Sequence, residues 1–255
     1  MELPEFFIDL KQDVAARIES TGDFTESAFA EIVTEFLVDA GTLTEFVPCI
    51  FRQRGMKVDG YAFVPDEATL DLFVVDYSGD DEPCTLARRD LEQAFKRVET
   101  FFEKSLSRKF VDELEVSTPA YALARQILDE ASSISRVRFY LLTDSILSER
   151  IKDLPSEQHD GREWSYRVWD LDRLEKVMAT GTPEEIVVDF QEMFEKRLRC
   201  LPAGLDNNNL QCYLAVIPGN WLAEIYGKWS GRLLEQNVRT FLQLKGSINK
   251  KIRET

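Results

Sequence analysis

KVDGYAFVPDEATLDLFVVDYS, Lys57 to Ser78, decides the fold, because it sets two short strand patterns next to each other with an acid on each. The first run, Met56 to Val64, breaks at Pro65-Asp66-Glu67, and the second, Thr69 to Tyr77, is dense in apolar and aromatic residues and stops before Gly79. A hairpin of buried strands is predicted. Asp76 follows LFVV on a strand that reads as buried on both faces, where an acid needs a partner or a metal. Brought together on adjoining strands, Asp59 and Asp76 form the predicted catalytic pair and the predicted ligands of Mg²⁺, an oxygen-seeking ion that polarises phosphate and activates water. A more local reading makes Asp59 a turn residue before Gly60 and Asp76 a strand cap, with Asp66, Glu67 and Asp71 as a solvent-facing acidic edge.

Outward from the hairpin the chain alternates helical and strand patterns. Pro4 to Ser20 places Phe7, Leu10, Val14 and Ile18 at helical spacing, and a second helix from Thr25 carries Phe29, Val33, Phe36 and Leu37. Glu31 and Glu35 stand four apart on that second helix, an exposed pair by default and auxiliary carboxylates for the site by the bolder reading. Glu45 to Arg52 is a strand candidate. Leu86 to Leu106, with Leu91, Phe95, Val98, Phe101 and Phe102, is the clearest long helix. Pro119 to Ser132 predicts another helix, Arg136 to Thr143 a strand, Tyr166 to Trp169 a strand leading into a helix over Asp170 to Ala179, Ile186 to Phe190 a strand, and Gln211 to Ile217 a strand before a helix at Asn220 to Lys228. This pattern predicts an α/β fold with a mixed sheet flanked by helices. The organisation expected is a core over residues 1–110, a second α/β part over 111–230 packed on or extending its sheet, and a distinct segment over 231–255.

With 255 residues and 44% apolar content the chain has ample material for a core. It has no apolar run of about 18 residues and no signal-peptide pattern at its N-terminus, so a cytoplasmic protein away from membranes is expected. The four cysteines and the single histidine, His159, show no zinc spacing. His159 lies in SEQHDGRE, read as an exposed polar loop, which argues against Ser-His or Cys-His catalysis. Gly-rich phosphate loops are lacking. Trp169 and Trp221 read as core, while Trp164 and Trp229 fit either core or base stacking. A net charge of -15 opposes simple nucleic-acid binding, yet Arg52, Arg54, Arg88-Arg89, Lys96-Arg97 and Arg108-Lys109 flank the acidic pair and could hold a backbone near it. The competing reading gives such pairs to solvated helix faces, as in Glu92 with Lys96.

The acid on one strand and Asp76-Tyr77-Ser78 on the next resemble the PD-(D/E)xK core of restriction-endonuclease-like proteins. That motif's lysine is Ser78 here, so a displaced lysine, Lys96 or Lys57, is expected to assist, with Glu35 as auxiliary carboxylate. The C-terminal stretch RLLEQNVRTFL, its Lys-Gly turn and NKKIRET resemble a signature of the abortive infection phage resistance proteins. TEFLVDAG, VDGY, LFVVDY and CYLAVIPGNWLAEIYGKW occur in the order found there. The resemblance implies a restriction-endonuclease-like region of a bacterial defence protein, with Mg²⁺ as cofactor. It implies nucleic acid as the target, DNA before RNA, and the family's larger C-terminal region, expected beyond Thr255, as partner. A scaffold that has lost cutting and senses nucleic acid or a phage component is the alternative.

Overall fold

A computed structural model describes residues 3–22, 24–53, 55–148, 156–180, 188–202 and 213–229, which fall into two units, 3–180 and 188–229. In the first, helices α1 (Leu3–Thr21) and α2 (Thr25–Asp39) precede strands β1 (Val47–Gln53), β2 (Met56–Val64) and β3 (Thr69–Asp76). Then follow β4 (Thr85–Leu86), α3 (Arg88–Ser105), α4 (Arg108–Glu113), α5 (Pro119–Asp129), β5 (Arg136–Thr143) and β6 (Ile146–Leu147). The unit closes with β7 (Glu157–His159), β8 (Arg162–Trp169) and α6 (Leu171–Thr180). The sheet runs β1-β2-β3-β5-β8-β7, with β3, β5 and β8 parallel and the other neighbours antiparallel. It is the mixed α/β sheet flanked by helices that the sequence predicts.

β3 sits inside the sheet, and every residue of TLDLFVVD except the last is buried, as its near-continuous apolar run requires. Leu70, Leu72 and Val74 enter one core, with Leu91, Phe95 and Phe101 of α3 and Leu123 of α5. Phe73 and Val75 enter the other, with Phe7, Phe29, Val33 and Leu174 from α1, α2 and α6. Each such large side chain stabilises the fold by about 1.5–3 kcal/mol through burial. α5 starts where Thr118 accepts a hydrogen bond from the Tyr121 amide at 3.3 Å and Pro119 pre-sets the first turn.

Several expectations need correction. His159 lies on edge strand β7, not in a loop. Asp160 and Gly161 both adopt left-handed φ, 50° and 78°, and form the two-residue hairpin turn to β8. The His159 imidazole packs tilted against Trp164 with ring centroids 4.3 Å apart, and Trp164, like Trp169, is buried. Asp71 is not on a solvent-facing edge: it is 1% exposed and takes a two-pronged grip from Arg138, at 2.5 and 2.8 Å. Lys96 pairs with Glu99, and Glu92 with Arg88.

In the second unit, α7 (Phe190–Phe194) precedes β9 (Cys200–Pro202), β10 (Tyr213–Ala215) and α8 (Gly219–Trp229), with β9 and β10 antiparallel. The strand predicted over Ile186 to Phe190 fails at its end, because Asp189 accepts hydrogen bonds from the Gln191 and Glu192 amides and caps a helix there. Ile186 and Val187 lie outside the described residues, as does the RLLEQNVRTFL segment. Trp221 stacks on Phe194 with centroids 4.5 Å apart.

Candidate functional site at the open end of the hairpin

β2 and β3 pair by backbone register from Val64↔Thr69 to Gly60↔Phe73. Past that point side chains of β2 take over the main chain of β3. Asp59 Oδ2 accepts from the Val75 amide at 2.7 Å, and Lys57 Nζ donates to the Val75 carbonyl at 2.5 Å. On the other side, β1 shifts register between Pro48 and Phe51, setting Cys49 and Ile50 against Asp59 alone. Such a bulge re-aims the side chain it faces. Gly60 is required next to it, because a Cβ there would stand 2.1 Å from the Phe46 ring.

Lys57 is the hub of the charges. Its ammonium lies 3.0 Å from Glu26 and 3.6 Å from Asp59 Oδ2, and Arg52 bonds Glu26 and stands 3.4 Å from Asp59 Oδ1. Burial pushes the Asp59 carboxyl above the ordinary carboxylate range, while Lys57, the Val75 amide and Arg52 pull the other way. Asp59 also helps raise its neighbour Cys49, whose thiol is pushed up to about 12 chiefly by burial.

Asp76 ends β3 at a cleft of about 280 Å³ whose lining includes Lys57, Asp76, Thr85, Asp90, Arg97 and Ser145. This is the carboxyl-terminal edge of β3 and β5, where open α/β sheets receive ligands. Partial burial raises the Asp76 carboxyl; Lys57 opposes this, and Asp144, Glu26 and Asp90 add to it. Ser78, in the place of the motif lysine, is held by Asp144. That carboxylate accepts from the Ser78 amide at 2.9 Å, the Ser78 hydroxyl at 3.1 Å and the Gly79 amide at 3.0 Å.

Asp59 and Asp76 therefore share Lys57 as a neighbouring cation, Asp59 engaged and Asp76 facing the cleft. Glu35 goes elsewhere: Arg17 of α1 holds both its oxygens, at 2.9 and 2.7 Å, keeping its carboxyl below the ordinary range and raising the arginine. Glu31 meets the same arginine. The α2 acid that reaches the site is Glu26, about 13 Å along the helix from Glu35 at 1.5 Å per residue. Lys96 projects from α3 with its side chain 65% exposed, while Arg97 lines the cleft. Sequence reasoning named Arg97, with Lys96, only as one of several basic pairs flanking the acids, and it missed Glu26, Asp90 and Asp144. Of these Asp144 alone carried a signal, an acid directly after the apolar strand RVRFYLLT, which is the same pattern that singles out Asp76.

Mg²⁺ commonly takes one or two protein carboxylates and completes its shell with water and substrate phosphate. Asp76, facing the cleft, suits that role, whereas Asp59 has Oδ2 taken by Val75 and Lys57 and Oδ1 at 3.4 Å from Arg52. Among the described residues no group of three or more His, Cys, Asp or Glu side chains is placed to hold a metal. Of the two predicted ligands, Asp76 is thus the carboxylate offered to the cleft, with Asp59 engaged by its own neighbours.

The hairpin, most of α2, α3 and the cleft lining fall within residues 29–176, the span matched by the family model of the abortive infection phage resistance protein N-terminal domain. That is more than half of the 255 residues. The chain belongs to the abortive infection phage resistance family. Membership gives it a role in defence against phage. No curated protein and no solved structure matches the chain. Among the described residues no helix is long and apolar enough to cross a membrane.

Proposed function

We propose that this chain carries a restriction-endonuclease-like core whose cleft hydrolyses phosphodiester bonds of nucleic acid, DNA in preference to RNA, during phage defence. The observation that carries the reading is the position of Lys57. Its ammonium stands 3.6 Å from Asp59 and lines the same cleft as Asp76, so one lysine neighbours both strand-borne aspartates although Ser78 has no cation to offer. Asp76 and Asp59 hold Mg²⁺, which supplies a polarised phosphate and an activated water. Lys57 offsets negative charge developing on the phosphate, the part played by the motif lysine. The test is cleavage of single- and double-stranded DNA and RNA with Mg²⁺ or Mn²⁺, by the chain alone and with the family's C-terminal region attached. Asp76→Asn and Lys57→Gln are each expected to lower the rate at least about 100-fold. Cleavage at the wild-type rate in both variants rejects the site.

A second reading, a sensing scaffold without cutting activity that relays to the C-terminal region, is favoured by the engagement of both Asp59 oxygens and by the Ser78–Asp144 lock. Calorimetric titration with Mn²⁺ separates the two. Binding that Asp76→Asn abolishes supports hydrolysis, and absence of heat at millimolar metal together with absence of cleavage supports the scaffold.

A further inference from the structure

α3 turns two different faces to its surroundings. Leu91, Phe95, Val98 and Phe102 are buried in the core, while Asp90, Gln93 and Arg97, at steps of three and four along the flanking stripe, line the cleft. Of the cations lining the cleft, Lys57 is already bonded to Glu26 and to the Val75 carbonyl and stands near Asp59. Arg97 is exposed, and among the described residues its guanidinium has no hydrogen-bond or ion-pair partner. In a chain of net charge -15, the nearby Arg52, Arg88 and Lys96 are each paired with an acid. A guanidinium facing a polar cleft with its donors unused is matched to an oxyanion, and its planar fork suits phosphate in particular. The cleft volume is about 280 Å³.

We infer that Arg97, assisted by Gln93, is a phosphate-binding residue of the cleft, gripping the backbone of a single nucleic-acid strand beside Asp76. The assignment rests on the nucleic-acid reading of the cleft, and it is tested without cleavage. Fluorescence anisotropy in EDTA with a labelled single-stranded oligonucleotide, at several salt concentrations, compares the wild type with Arg97→Ala, Arg97→Lys and Asp76→Asn. Arg97→Ala lies on an exposed helix position where alanine favours the helix, so folding is retained. It is expected to weaken binding about 5- to 10-fold and to reduce the slope of log affinity against log salt by about 0.7, the loss of one phosphate contact. Arg97→Lys recovers part of the affinity, and Asp76→Asn binds at least as tightly as wild type because a repelling carboxylate is gone. Equal affinity of Arg97→Ala and wild type, or no binding by the wild type, overturns the inference. The hydrolytic reading fails separately: if binding depends on Arg97 yet no divalent metal yields cleavage, the phosphate contact stands and the nuclease does not.

Discussion

Asp71 and Asp76 lie five residues apart on the same strand, yet the sheet uses them in opposite ways. Asp71, at the end where β3 begins, is sealed under Arg138, with Glu67 at 3.4 Å from the same guanidinium. Asp76, at the other end, meets a cleft, like charges from Asp144 and Asp90, and one lysine that is shared with Asp59 and Glu26. A carboxylate whose oxygens are both taken by a guanidinium fork serves the fold. One left half-satisfied beside a cavity has chemistry to spare, and perturbed groups of that kind gather at functional sites.

Breaking the sealed pair is the strongest test of the contrast. Arg138→Ala leaves Asp71 buried without its cation and is expected to cost about 3–5 kcal/mol in urea denaturation; a loss under 1 kcal/mol would mean that water reaches Asp71 after all. Asp76→Asn should do the reverse, abolishing cleavage while the fold stays at least as stable. Because the folded state raises the Asp76 carboxyl, it keeps that proton to higher pH than the unfolded chain does. Wild-type stability therefore falls as pH rises from the ordinary carboxylate value through the raised one, and Asp76→Asn should flatten that fall. A steeper decline in the variant would refute the assignment. Gly60→Ala pushes a methyl group into the Phe46 ring and should cost about 1–3 kcal/mol, disturbing Asp59 and leaving the Asp71 end intact by hydrogen exchange. Smallest of all, Glu35→Ala removes a pair whose acid is 61% exposed; it should change stability by less than about 1 kcal/mol and leave cleavage unaltered.

The elements were legible where apolar periodicity was strong. β2 and β5 occupy the predicted spans Met56 to Val64 and Arg136 to Thr143, and α3 follows its heptad-like run of Leu and Phe. His159 was misplaced because its strand is three residues long and exposed throughout, leaving a period-2 pattern nothing to show. Glu35 was named because it shares one helix face with Glu31 four residues before it, whereas the contact depends on which end of α2 approaches β2, and that end carries Glu26. Lys96 and Arg97 are neighbours in sequence, and a rotation of about 100° per residue on the helix separates the solvent face from the cleft.

By itself the sequence determined the alternation of helix and strand, the buried character of β3, the placement of Asp59 and Asp76 on adjacent strands and the kinship with phage resistance proteins. Local periodicity and turn chemistry act over a few residues, so they are written in the chain directly. Only the tertiary structure decided that Lys57 stands beside Asp59 at the cleft, that Glu26 bonds Lys57 and Arg97 lines the cleft, and that Asp71 is sealed. Each of those depends on side chains far apart in sequence competing for the same few ångströms, and the outcome is set by burial and charge in three dimensions.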